Sequence, residues 1–152
     1  MVAFTLNGAA VSVADDGAPL LHVLRGELGL SGPRLGCGAE ACGACVVLVD
    51  GAPAHACTLP AQAVAGRSVT TVEGLGTPAA PHPLQRAFLH EQAGQCGFCL
   101  SGILVAAVAL LARDPDPDDA AIRAALDPHL CRCGSHNRIV RAVRRAAAEM
   151  RA

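Results

Sequence analysis

Short apolar runs broken by turn residues fill the first half of the chain, and longer runs of helical character fill the second. Val2–Leu6 predicts a short strand. Asn7-Gly8 follows as a hairpin turn, because both positions tolerate a positive φ, and Val11–Val13 returns. Leu20–Leu30 carries apolar residues at helical spacing and is ended by Gly32-Pro33. Val46–Val49 is an apolar run rich in β-branched residues, closed by a second hairpin signal at Asp50-Gly51. Ser68–Val72 predicts the last strand. Two hairpins around one helix, with a closing strand, predict a small α+β roll.

Glu73–His82 is rich in Gly and Pro and reads as a linker. Four helices are expected beyond it: Pro83–Gln92, Leu100–Arg113, Pro117–Leu126 and Arg138–Met150. Pro115 and Pro117 separate the second from the third, and Asp114 and Asp116 suit the turn and cap there. Leu100–Ala112 is the longest strongly apolar stretch. A transmembrane helix needs about 20 residues, so this one is expected to be buried in protein and no membrane span is predicted. The organisation expected is therefore two domains, 1–75 and 76–152, without internal repeats.

Composition sharpens this picture. The chain has 152 residues, 52% of them apolar, enough for a real core. Aromatics are 2% and the net charge is −1, which argues against a base-stacking platform and against electrostatic capture by nucleic acid or anionic membrane. From Arg132 onward there are six Arg against the single acid Glu149. These read as a solvated helix face, with Arg132 and Arg138 the better candidates for contact with an anionic cofactor or partner. The N-terminus lacks a charged segment followed by a long apolar one, so no signal peptide is expected and the default compartment is cytoplasmic. Export together with a signal-bearing partner stays open. Eight Cys in a reducing compartment point to metal or redox chemistry rather than disulfides.

Cys37, Cys42, Cys45 and Cys57 are spaced C-x4-C-x2-C-x11-C. The x4-then-x2 order is the plant-type [2Fe–2S] ferredoxin pattern. Three thiolates of this loop must converge on an anionic cluster, and the small residues Gly36, Gly38, Ala39, Ala41, Gly43 and Ala44 let backbone N–H groups point at sulfur. Cys96, Cys99, Cys131 and Cys133 are spaced C-x2-C-x31-C-x-C. Both pairs precede a predicted helix, whose free N–H groups suit an anionic site. This second spacing, taken alone, is ambiguous between zinc and iron–sulfur. A thioredoxin-like pair at Cys96 and Cys99 is conceivable, but the Cys131/Cys133 pair makes a four-thiolate centre more economical. The c-type haem motif C-x-x-C-H is missing, and neither quartet lacks a ligand that a Rieske centre would take from His. The six His form no metal-enzyme motif, and there is no G-x-S-x-G, Walker loop or G-x-G-x-x-G. No catalytic residue is assigned.

These residues resemble the small iron–sulfur subunit of the molybdenum hydroxylases, the xanthine oxidase and carbon monoxide dehydrogenase group. The resemblance runs nearly end to end, through the Cys37–Cys45 loop, Ala56-Cys57-Thr58-Leu59-Pro60, Val69–Gly74, His82-Pro83-Leu84-Gln85, Gln95-Cys96-Gly97-Phe98-Cys99, Leu130-Cys131-Arg132-Cys133-Gly134 and Arg138-Ile139. It implies an N-terminal plant-ferredoxin-like β-grasp domain with one [2Fe–2S] cluster on Cys37, Cys42, Cys45 and Cys57. It implies a C-terminal four-helix domain with a second on Cys96, Cys99, Cys131 and Cys133. It further implies a large partner subunit carrying a molybdopterin dinucleotide, in its cytosine form, which Gln95 and the region of Cys133 contact. The plainer alternative for Gln95 is a cap on the following helix.

Two positions depart from the common pattern. Gly134-Ser135-His136 stands where Gly-Thr-Tyr is frequent, and His129 stands where Asn often precedes the Leu-Cys-Arg-Cys block. A His there resembles the subset that oxidises N-heterocycles or aldehydes. The terminal acceptor is left open between an FAD subunit, cytochrome c and another carrier. The implied role is electron transfer from molybdopterin through the two clusters to that acceptor. The alternatives are a free-standing ferredoxin-type carrier, which has no use for the helical half, and a zinc-stabilised interaction module.

Overall fold

The computed structural model describes residues 1–152. Its first half is a five-stranded mixed sheet in the order β2-β1-β5-β3-β4. β1 (Val2–Leu6) and β2 (Ala9–Val13) form an antiparallel hairpin, and β3 (Val46–Val49) and β4 (Ala52–His55) form another. β5 (Ser68–Thr70) joins them, parallel to β1 and antiparallel to β3. Both hairpin turns take the positive φ that their sequences call for: Asn7 and Gly8 at 49° and 85°, Asp50 and Gly51 at 50° and 81°. α1 (Leu20–His22) runs on as a π-helical stretch, Val23–Glu27, and packs Leu20, Leu21 and Leu24 against Phe4, Val13, Val47 and Val69.

The second half is four helices: α2 (Pro83–His90), α3 (Leu100–Arg113), α4 (Asp119–Leu126) and α5 (His136–Arg151). Leu84, Phe88, Ile103, Leu110, Ile122 and Ile139 anchor their common core. A third, smaller cluster joins the halves: Val46 and Leu48 of β3 meet Val105 and Ala109 of α3. β3 is consequently buried on both faces, which is why it reads as a continuous apolar run rather than an alternating one. α3 is apolar all round for the same reason, since one side faces the helices and the other the sheet. No helix is long and apolar enough to cross a membrane.

The elements differ from their sequence expectations mainly at their ends. The helix expected over Leu20–Leu30 stops at Glu27, and its last turns loosen: Leu28 N–H donates to Val23 O and Leu30 N–H to Leu24 O. The closing strand ends at Thr70, because Thr71 N–H is taken by Asn7 Oδ1 at 2.9 Å and Val72–Gly74 turns into a 3-10 helix. The helix expected from Pro117 starts at Asp119, capped by Asp118, whose carboxylate accepts from Ala121 N–H at 2.7 Å. α5 extends one or two residues beyond the expected range at each end. Its arginines lie largely in surface ion pairs, Arg141 and Arg145 with Glu91, Arg144 with Asp119 and Arg151 with Asp116.

Candidate metal centres

The first cysteine loop is shaped by glycine and by hydrogen bonds to sulfur. Gly38, Glu40 and Gly43 take φ of 68°, 57° and 75°, which curls residues 37–45 tightly. Glu40, the non-glycine among them, has its carboxylate held by the Thr58 hydroxyl. Ala39 and Ala41 N–H both donate to Cys37 Sγ, at 3.3 and 3.2 Å, and Cys37 N–H donates to Cys42 Sγ at 3.4 Å. A Cβ on Gly36 would lie 2.7 Å from Cys42 Sγ, so glycine is required for that approach. Cys45 ends the loop just before β3, and Cys57 follows β4, so the hairpin returns the fourth cysteine to the third. The thiols of Cys45 and Cys57 are neighbours. The N–H groups of Ala39 and Ala41 pull Cys37 down to about 7, while burial pushes Cys45 up to about 11.

The second group gathers at two helix starts. Cys99 is the residue before α3, and Cys131 and Cys133 lie in the turn before α5. Phe98 N–H donates to Cys96 Sγ and Ser135 N–H to Cys131 Sγ, both at 3.5 Å. The Cys96 thiol neighbours Cys133, and Cys99 neighbours Cys131. Burial pushes Cys99 up to about 12, and the Phe98 N–H pulls Cys96 below its ordinary value. At Cys131 burial acts upward but is outweighed by the Ser135 N–H, the Cys99 thiol and the Cys133 N–H, so the net direction is down. All eight cysteines are free thiols.

The two groups share a cavity of about 370 Å³, whose walls include Cys37 and Cys42 from one and Cys96, Cys99 and Cys131 from the other. Leu130 N–H donates to Cys42 O at 2.9 Å, tying the loops directly. His129 fills the seam behind them. It is 5% exposed, with Nδ1 unpartnered, and burial holds its imidazole down at about 4. The donor chemistry fits iron–sulfur clusters: the thiols of each quartet stand in neighbouring pairs, Cys37 with Cys42 and Cys45 with Cys57, Cys96 with Cys133 and Cys99 with Cys131, and backbone N–H groups already point at the sulfurs that would carry negative charge.

Gln95 is exposed and does not cap α3; its Nε2 donates to Cys133 O at 3.2 Å. It stands on the rim of an open groove of about 790 Å³, with Phe88, Leu89, Gln92 and Arg138 among the lining residues. Arg138 donates to Gln92 O at 3.2 Å. Sequence reasoning passed over Arg34, whose Nη1 donates to Gly97 O at 2.5 Å and whose guanidinium stacks on Phe98. The sequence clue was a basic residue three positions ahead of Cys37.

Comparison with known proteins adds to this geometry. Residues 4–69 match the 2Fe-2S iron-sulfur cluster binding domain, and residues 71–144 match the [2Fe-2S] binding domain. The chain is 52% identical to one of the subunits of the nicotinate dehydrogenase of Pseudomonas putida, over 96% of this chain and 94% of that one. It is 50% identical to the alpha chain of the isoquinoline 1-oxidoreductase of Brevundimonas diminuta, over 98% and 99% of the two chains. Among solved structures it superposes on the aldehyde oxidoreductase of Desulfovibrio desulfuricans with a TM-score of 0.95 and 40% identity. That match covers 99% of this chain but 17% of the larger one.

Proposed function

The chain belongs to the small iron–sulfur subunits of the molybdenum hydroxylases, and from that premise we propose which of its residues serve that role and how. It is the electron-transfer, non-catalytic subunit of such an oxidoreductase and carries iron–sulfur clusters. In our reading Cys37, Cys42, Cys45 and Cys57 hold one [2Fe–2S] cluster, and Cys96, Cys99, Cys131 and Cys133 hold the other. Each cluster, when bound, stores one electron, so a pair can drain a two-electron centre. The observation that carries this reading is the shared cavity: thiols of both quartets line a single space.

The residues of the chain do the rest. Backbone N–H groups of Ala39, Ala41, Phe98 and Ser135 stabilise charge on sulfur. Two oxidised clusters add about four negative charges to a chain of net charge −1, so such donors are needed to hold them. Small glycine-rich loops let backbone approach sulfur, and the packing of β3 on α3 keeps the two sites at a fixed separation. We take residues 1–75 as the ferredoxin-like unit and 76–152 as the helical one.

We assign Gln95 and the backbone at Cys133 to contact with a molybdopterin dinucleotide, in its cytosine form, on the large partner subunit. Support comes from the exposure of Gln95 at the groove beside the second quartet. The partner's substrate is an N-heterocycle in this reading, by analogy with the relatives named for nicotinate and isoquinoline. An FAD subunit or cytochrome c takes the electrons onward, and the complex is cytoplasmic. The test is a visible spectrum of the purified complex, with iron, zinc and molybdenum counted on the same sample. A red-brown protein with about four irons per small subunit is expected. A colourless protein with two zincs overturns the reading.

A further inference from the structure

We propose that Arg34 is the cation that couples the two cluster loops and raises the reduction potential of the centre on Cys96, Cys99, Cys131 and Cys133. The inference rests on the two-cluster reading above and concerns how this chain tunes it. Arg34 belongs by its backbone to the first loop and by its side chain to the second. Its N–H donates to Ala44 O at 3.0 Å, one residue before Cys45. Its guanidinium donates to Gly97 O at 2.5 Å and lies 5.5 Å from the centre of the Phe98 ring. Gly97 and Phe98 are the two residues between Cys96 and Cys99.

The segment that aims Arg34 is itself held. Arg25 donates to Ser31 O and Pro33 O, at 3.2 and 2.8 Å, and Gly32 N–H donates to a Glu73 carboxylate oxygen at 2.6 Å. A side chain at position 32 would collide with Val72 and Glu73, so the backbone there is close-packed. Arg34 therefore reaches the second loop from a fixed base rather than as a mobile surface arginine.

Its charge is uncompensated. The arginines in ion pairs are Arg67, Arg86, Arg141, Arg144, Arg145 and Arg151, and Arg34 is not among them. A guanidinium stays protonated at any working pH. Reduction adds one negative charge to a centre held by the loop it touches. An unpaired cation, half-buried at that loop, favours the reduced form over the oxidised one. The carbonyl of Gly97 and the face of Phe98 fix the guanidinium there without neutralising it.

The experiment is a redox titration of the purified complex, followed by electron paramagnetic resonance of the reduced clusters, with iron counted on each sample. Arg34→Gln is expected to lower the reduction equilibrium constant of the second cluster about tenfold, which for one electron is about 59 mV. The first cluster should move less. Arg34→Lys, which keeps the charge, should stay near the wild-type potential. An unchanged potential in Arg34→Gln with both clusters loaded overturns the proposal. So does an equal drop in Arg34→Lys, which leaves only a structural hydrogen bond. If Arg34→Gln strips the second cluster, Arg34→Lys decides alone: the wild-type potential supports the role and a tenfold fall refutes it. A wild-type complex with about two irons per small subunit contradicts the two-cluster reading itself, a result distinct from failure at Arg34.

Discussion

Gly102 lies inside α3, where an alanine ordinarily strengthens a helix by about 1 kcal/mol. Here a Cβ would lie 2.0 Å from the carbonyl oxygen of Gly43 in the first cysteine loop. Gly43 in turn has a φ of 75°, and a Cβ on it would lie 2.4 Å from His129 Nδ1. Two glycines and a buried imidazole thus allow the cysteine loop to rest directly on the helix. Steric overlap with backbone outweighs propensity, so Gly102→Ala should destabilise the protein by roughly 2 kcal/mol or more. Gly26→Ala is the control. That position has open space around it and no positive φ, and the substitution should be neutral or stabilising by a few tenths of a kcal/mol. Denaturant melts of the two variants beside wild type check both signs.

At the scale of the element, α2 shows how a motif read by resemblance acquires a physical cause. His82 Nδ1 accepts from Leu84 N–H at 3.1 Å, Gln85 Oε1 accepts from His82 N–H at 2.9 Å, and Pro83 opens the helix. A cap of this kind needs the imidazole neutral. Burial, and then the charge of Arg86, hold His82 below the ordinary histidine value of 6.5. The unfolded chain binds the proton more readily, so the stabilisation is complete above about pH 6.5 and fades as pH falls below it. Loss of a cap costs about 1 kcal/mol. His82→Asn keeps an acceptor and cannot titrate, so it should flatten that part of the stability difference between pH 8 and pH 5. An equal pH dependence in wild type and variant would show that the cap is not the titrating element. β3 supplies a second case. Leu48 faces α3 while its neighbours Val47 and Val49 face the roll, so Leu48→Ala should cost about 3 kcal/mol although it lies on a short strand. Chemical denaturation reads this directly.

Across the whole molecule, the helical half is closed at one end by its cysteines. The starts of α3 and α5 meet through Cys99 and Cys131. Under the proposed ligand assignment, a cluster held there would contribute to folding as well as to function. Cys131→Ser should lower iron from about four to about two per chain and should also lower the melting temperature of the helical half. Loss of the second cluster with an unchanged melting curve would separate the metal from the fold. Because α3 also packs on β3, the loss should be felt by the roll, and a probe in the sheet should report a shifted midpoint.

Legible along the chain were the strands other than β4, the four helices after residue 80, both hairpin turns and the two groups of cysteines. Each is a local signal: apolar period, Asn-Gly and Asp-Gly turns, or thiol spacing set by ligand chemistry. β4, Ala-Pro-Ala-His, carries no apolar alternation and is identified only by its pairing with β3. The end of the first helix was less legible, because its last turns give up α-helical bonding for packing against the roll. How the groups meet is set by long-range packing. The Arg34–Gly97 contact spans 63 residues, and the Leu130–Cys42 bond and the seat of Gly43 on Gly102 are equally non-local. No periodicity along a chain encodes such pairs. They exist because one apolar helix, α3, is covered by helices on one side and by β3 on the other, and that arrangement places both cysteine loops against the same cavity.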